Sequence, residues 1–260
     1  MRRSFRLLPL VALLAPALVL PAPTAFGEPT GATTVVERRI EAASLPAGAE
    51  VSQSVLEFGP GAWTPLHSHG GASYNTVLAG EVTLRINGVD RTFAAGEGWA
   101  DQPCVPHQAG NPGTASARLV ATFVTARDVP PTLVLDPPGR RPARPEPTVL
   151  AAQKLTAFAL SGPVDIIHRV VSLQPGSTVP AQAQPGPSMV SVLLGSVSIE
   201  ADGTTRSVSA GRGWTDPTGA SLGYSAGGSV ARVVATTFAP RSGATTATAQ
   251  GAVVPGPVVP

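Results

Sequence analysis

The chain contains a single cysteine, Cys104, so no internal disulfide can form and the fold must be held by its core. Charge is also scarce: 13% of the residues are charged and 43% are hydrophobic. So apolar a composition excludes a disordered chain, and the lack of a glycine at every third position excludes collagen. No Lys/Arg cluster appears beyond Arg140, Arg141 and Arg144 in a Pro-rich stretch. Three of the 18 basic residues, Arg2, Arg3 and Arg6, lie at the extreme N-terminus, and without them 15 basic residues face 16 acidic ones. The electrostatic footprint of a nucleic-acid partner is therefore missing. Beyond the N-terminal stretch no apolar run approaches the ~20 residues of a spanning helix.

Gly and Pro are abundant, 28 each in 260 residues. That is too turn-rich for a bundle of long helices or a coiled coil. The length leaves room for about two domains.

Residues 1–27 have the layout of a secretory signal: a basic start, an apolar stretch over 7–20, and the small-residue site Ala25-Phe26-Gly27 before Glu28. Pro9 and Pro16 break the apolar run, which is short for a permanent anchor. Arg2-Arg3 resembles a twin-arginine signal, whose machinery carries folded cargo. An extracytoplasmic protein, without a stable membrane span once the signal is cleaved, is the expectation.

The rest of the chain repeats itself. Gly61 to Trp99 aligns without a gap on Gly176 to Trp214, a shift of 115, and Ala117-Arg-Leu-Val-Ala-Thr aligns on Ala231-Arg-Val-Val-Ala-Thr one residue short of it. A period this long means tandem domains. Within each copy short β-branched runs alternate with turn signals, among them Asn87-Gly88 and Asp202-Gly203, which argues an all-β sandwich or barrel. Between the copies the prolines from Pro130 to Pro147 deny the chain a sheet ladder and predict a stiff, extended linker.

Three of the four histidines fall in the first copy, at His67, His69 and His107. Two apart on a strand, His67 and His69 share a face with Trp63 and Pro65. His107 follows a turn, and a closed sheet brings it opposite them. Three neutral imidazoles form a first shell for a divalent metal with positions left open. Cys104 reads as a small buried hydrophobe rather than as a thiol beside that metal.

On these residues the sequence resembles the cupin superfamily. Its first motif runs Gly, five residues, His-x-His, three or four residues, Glu, six residues, Gly; Gly61, His67, His69 and Gly80 fit, and Ser73 stands in the glutamate position. Its second motif is matched by Gly96, His107 and Asn111, with Pro103 one residue late and Val105 in place of a glycine. The resemblance implies two tandem double-stranded β-helix, jelly-roll-like barrels: a cupin domain at 34–126, a linker at 127–147, a degenerate cupin domain at 148–240, and a flexible tail at 241–260. It implies a metal on His67, His69 and His107, with Trp63 and Ser73 as candidate substrate-binding residues. The metal is one divalent first-row transition ion, Fe foremost, with Mn, Ni or Zn as alternatives. With no carboxylate among the ligands, the full +2 charge would be left to attract anionic, chelating oxygen donors.

The second copy has Gln182 and Gln184 where the histidines stood and Leu222-Gly223-Tyr224 where the third falls, so it reads as a structural or substrate-shaping partner. His168 reads as an ordinary core or surface histidine, and Tyr74 as part of the outer core. The resemblance implies an exported metal-dependent oxidoreductase or dioxygenase acting on a small chelating substrate, as monomer or homodimer. A non-catalytic ligand-binding module and a non-redox isomerase or hydrolase are the alternatives. No general base is identifiable beside the histidines, and catalytic residues stay unassigned.

Overall fold

The structure, a computed structural model, describes residues 30–136, 144–155, 160–201, 203–216, 219, 222–242 and 245–246. The expected signal over 1–27, the middle of the linker and most of the tail lie outside the described residues. Every regular element is a strand, as the turn-rich, β-branched sequence predicts. Among the described residues no helix is long and apolar enough to cross a membrane.

The first copy contributes β1 (Thr30–Leu45), β2 (Glu50–Phe58), β3 (His67–Ser68), β4 (Ala72–Ala79), β5 (Glu81–Ile86), β6 (Val89–Ala94), β7 (Gly98–Asp101), β8 (His107–Gly110) and β9 (Ala117–Thr125). After the short β10 (Leu133–Val134) come β11 (Thr148–Leu155), β12 (Leu160–Val179), β13 (Ser188–Leu194), β14 (Ser196–Ala201), β15 (Thr204–Ser209), β16 (Gly213–Asp216), β17 (Tyr224–Ala226), β18 (Ala231–Pro240) and β19 (Thr245–Thr246). The Asn-Gly signal closes β5 on β6 as expected: Ile86 pairs with Val89, and Asn87 and Gly88 take φ of 52° and 78°. Both central residues of such a tight turn need positive φ, which Asn tolerates and Gly adopts freely.

Two five-stranded sheets, ordered β11-β2-β9-β4-β7 and β10-β3-β8-β5-β6, hold the first copy. They pack face to face: Phe58, Val77, Trp99 and Leu119 from one meet Val82, Leu84, Phe93 and Ala109 from the other in one buried cluster. Burying each large side chain is worth about 1.5–3 kcal/mol. Second-copy strands run in a nine-stranded sheet along the path β15-β14-β17-β12-β18-β13-β16, with β1 and β19 also on β12, curled into a jelly-roll barrel around Leu173, Val192, Ile199, Trp214 and Val233. The long β12 makes the corner, pairing with β18 up to Leu173 and with β17 from Thr178, across Gly176 at φ 72°.

The two copies exchange their first strands. β1 pairs with β12 and β11 with β2, so Arg38 lies opposite His168 and Gln153 opposite Gln53, each pair related to the other by the 115-residue shift. Arg38 donates to the Asn75 carbonyl at 2.8 Å, and Gln153 to the matching Val190 carbonyl at 2.7 Å. Apolar clusters join the copies on both sides of these contacts, one of them containing Leu45, Val51 and Tyr74 with Ile166, Met189 and Phe238. Tyr74 is thus in the core between the copies, away from the histidines.

The linker differs from the sequence expectation. Leu133 and Val134, between Pro131 and Pro137, pair with Ser68 and His67, and Leu135 donates its N–H to the Leu66 carbonyl at 2.8 Å. The prolines bar a ladder only at their own positions. The free N–H groups between them bond to β3, and this part of the linker lies against the histidine strand.

Candidate metal centre

His67 lies on β3, His69 just beyond it, and His107 opens β8 directly opposite His67. The closed sheet therefore brings the third histidine to the other two. The ring centroids are 4.3 to 4.9 Å apart, and one nitrogen from each ring lies within 4.8 Å of the others. All three side chains are buried. Among the described residues this is the group of ligating side chains placed to hold a metal.

Each Nδ1 faces a backbone carbonyl: His67 that of Pro65 at 2.9 Å, His69 that of Pro131 at 3.0 Å, and His107 that of Val105 at 2.9 Å. A carbonyl can only accept, so Nδ1 carries a proton, and in the neutral form of each ring Nε2 presents the lone pair. Burial, joined by the nearby His107, pushes the His67 pKa down to about 4, and burial likewise lowers that of His107. Neutral rings with inward lone pairs are the donor set a divalent transition metal requires, and carbonyls behind the rings also hold their planes.

A carboxylate stands beside them that the motif reading missed. Asp101, at the end of β7 and paired with Ser73 across β4, places Oδ2 3.6 Å from His69 Nε2 and 3.5 Å from His107 Nε2. That oxygen accepts from Ser73 Oγ at 2.6 Å, Asn75 Nδ2 at 2.9 Å and Trp99 Nε1 at 3.1 Å. Burial raises the pKa of this carboxyl, but the pull of His69, His107 and Ser73 outweighs it, and the group lies below its ordinary value. The picture of a site with no acidic group nearby is therefore corrected. A signal was present: the gapless repeat carries Ser73 and Asp101 onto Ser188 and Asp216, and Ser188 donates to Asp216 at 2.9 Å in the same way.

The centre opens into a cavity of about 270 Å³ whose other walls are largely apolar, including Leu56, Phe58, Leu119 and Phe123, with Pro131, Val134 and Pro147 contributed by the linker region. Neither candidate substrate residue is among these walls. Ser73 is fully buried with its hydroxyl committed to Asp101. Trp63 lies against Gly110, where a Cβ would come within 2.1 Å of the indole, and the Arg85 guanidinium sits 4.4 Å from its centroid. Trp63 is on β3's approach, but the chain turns before His67. Asn111 organises a loop, donating to the carbonyls of Phe58 and Ala115. Cys104 is exposed, contrary to the expectation of a buried hydrophobe, because its φ of 62° places it in a surface turn.

In the second copy Gln182, Gln184 and Tyr224 line a separate cavity of about 280 Å³ with Asp216 and Ser188. His168 is fully buried, its ring nitrogens 2.7 Å from Thr76 Oγ1 and 2.9 Å from Thr122 Oγ1.

Residues 54–123 match the cupin domain family. Solved structures agree over most of the chain. The coconut allergen cocosin aligns with a TM-score of 0.52 at 10% identity, covering 81% of this chain and 87% of its own. The oxalate decarboxylase of Lactobacillus farciminis, solved as a formate complex, aligns with a TM-score of 0.51 at 13% identity, covering 80% and 88%. The chain has a cupin fold. At these identities the likeness is one of fold, and the same fold serves an allergen and a decarboxylase alike, so function must be argued from the site. No curated protein matches the sequence.

Proposed function

We propose that the protein is an exported, metal-dependent cupin oxidoreductase, of the dioxygenase type, acting on a small chelating organic substrate. The observation that carries this reading is the convergence of three buried imidazoles, each with Nδ1 held by a backbone carbonyl, at the wall of a largely apolar cavity. His67, His69 and His107 would hold one divalent first-row metal, Fe before Mn, Ni or Zn. When bound, such an ion supplies one-electron chemistry and a binding point for dioxygen and for a bidentate substrate.

The chain's own groups do the rest. The three backbone carbonyls keep the imidazoles aimed before any ligand arrives. Phe58, Leu119 and Phe123 exclude water and fit the carbon skeleton of a small substrate. The lack of an acidic group, which would have favoured a purely binding role, does not hold, since Asp101 stands beside two of the histidines.

On this reading the chain is a bicupin. Gln182 and Gln184 make the second domain metal-free, and the exchanged strands β1 and β11 make it the brace of the first. The leader-like residues 1–27 support export, and the internal pairing of two copies supports a monomer. The test is oxygen uptake by Fe(II)-loaded protein across a panel of small diketones, thiols and hydroxy acids, with Zn(II)-loaded protein as control. Uptake with iron and none with zinc is expected. Turnover of a panel member by the zinc form without oxygen consumption would overturn the redox assignment.

A further inference from the structure

Asp101 lies on β7, outside the segment in which the cupin resemblance places an acidic ligand. Its Oδ2 is 3.6 Å from His69 Nε2 and 3.5 Å from His107 Nε2. Both rings turn Nδ1 to a backbone carbonyl, of Pro131 and Val105, and so aim Nε2 at the carboxylate. The carboxylate oxygen and the two ring nitrogens thus face one another across one small space, where a single cation can be shared among them. Two donors each about 2.1 Å from one ion stand about 3.0 Å apart at a right angle and about 3.4 Å apart at the tetrahedral angle. The Asp101 spacings, 3.5 and 3.6 Å, lie just above that range.

The carboxylate is also fixed in place. Ser73, Asn75 and Trp99 all donate to Oδ2. Asn75 further donates to Ser73 Oγ at 2.9 Å, so the hydroxyl proton is directed at Asp101. Strand pairing sets the arrangement, because Ser73 lies opposite Asp101 and Asn75 opposite Trp99. The second copy supplies a contrast. It keeps Ser188 and Asp216 but has Val190 in place of Asn75 and glutamines in place of the histidines, and burial there pushes the carboxyl up to about 6. The fuller set of donors accompanies the histidines.

We propose that Asp101 is the fourth, anionic ligand of the three-histidine centre, supplied from the strand beside the missing glutamate, with Ser73, Asn75 and Trp99 as its positioning residues. Ser73 is then no vacant ligand position. It holds the residue that does the glutamate's work, and the ion's charge falls from +2 to +1 within its ligand set. This rests on the metal-centre reading above.

The experiment titrates the apo full-length protein with Co(II) against a competing chelator and records the visible spectrum. Asp101→Asn should weaken Co(II) binding by about 100-fold or more, the upper end of what losing a supporting residue alone costs, and should shift the d–d bands. Asp216→Asn, the same Ser-Asp pair without histidines, should leave affinity and spectrum unchanged. Because Asp101→Asn could lose its fold, a second variant gives a gain of signal: Asp101→Cys in a Cys104→Ser background. A thiolate-to-cobalt charge-transfer band in that protein means position 101 reaches the ion. Wild-type affinity and bands in a folded Asp101→Asn, or no charge-transfer band from the cobalt-loaded cysteine variant, would overturn the ligand role while leaving the three-histidine centre standing. Failure of the wild type itself to bind Co(II) would instead overturn both.

Discussion

Gln53 and His168 occupy equivalent places in the two copies, and each reaches into the other copy to bond its matching hydroxyls. His168 lies between Thr76 and Thr122. Gln53 donates to Thr236 Oγ1 at 2.7 Å and accepts from Ser191 Oγ at 2.7 Å. Thr76 and Ser191 are 115 residues apart, Thr122 and Thr236 one fewer, so the two polar clusters are related as two halves of an internal dimer. Both Gln53 and His168 are fully buried.

Replacing His168 with alanine leaves two buried hydroxyls short of a partner and opens a cavity at the seam. A loss of about 3 kcal/mol is expected. His168→Gln, which installs the first copy's residue, should lose less than half of that. Urea melts of the two variants and the wild type give the comparison. Equal losses would mean that the polar contacts contribute nothing beyond filled volume.

The same residue sets a pH dependence. Burial, with a smaller push from Arg38, lowers the His168 pKa to about 3, whereas the unfolded chain titrates near the ordinary value of about 6.5. The folded protein refuses a proton that the unfolded chain accepts. The stabilisation is therefore complete above pH 6.5 and is lost as pH falls toward 3. Between pH 7.5 and 5 the wild type should lose about 2 kcal/mol more than His168→Gln. Parallel curves for the two proteins over that interval would refute the assignment.

Asp216 works in the opposite sense. Burial raises its pKa to about 6 even though Ser188 donates to it. The folded state holds the proton more tightly than the unfolded state, so the contribution present below about pH 4 is lost as pH rises through 6. Asp216→Asn keeps an acceptor for Ser188 and removes the buried charge. Thermal melts should show it about 1–2 kcal/mol more stable than wild type at pH 8 and indistinguishable at about pH 3.5. A destabilised variant at pH 8 would show that the ionised carboxylate has a partner in the fold.

The exchanged strands bear on whether one copy can stand alone. A fragment of residues 28–130 lacks β11, the outer strand of one of its own sheets, and lacks β12, on which β1 pairs. It would expose Val51, Val55 and Val120, all buried in the full chain. The expected outcome is an aggregating or molten species with no sharp thermal transition. A soluble monomeric fragment that melts cooperatively would contradict this dependence.

The all-β class and the hairpin at Asn87-Gly88 were legible because each rests on local signals, alternation and turn chemistry, whereas the meeting of His67 with His107, set by the pairing of β3 with β8, was legible only through the motif pair of the cupin resemblance. Asp101 is marked by no motif spacing, because its partners are set by strand pairing across 28 residues of sequence, from Ser73, and only its recurrence as Asp216 in the repeat pointed to it. Trp63 was misleading for the converse reason. A period of two from His67 places it on the same face of an ideal strand, but β3 is only two residues long, and Trp63 is bridged to Gly110 outside it. The exchange of β1 and β11 was also beyond reach, since a repeat reveals which segments are equivalent and not which copy each one joins.

The central claim is that the chain holds one metal, in the first copy, on three histidines. Elemental analysis of protein purified from its own host and of single variants tests it most directly. Wild type, Gln182→Ala and Gln184→Ala should each carry one first-row metal per chain, and His67→Ala, His69→Ala and His107→Ala should carry little or none while remaining folded by circular dichroism. Full metal content in the histidine variants, or its loss in either glutamine variant, would contradict the account.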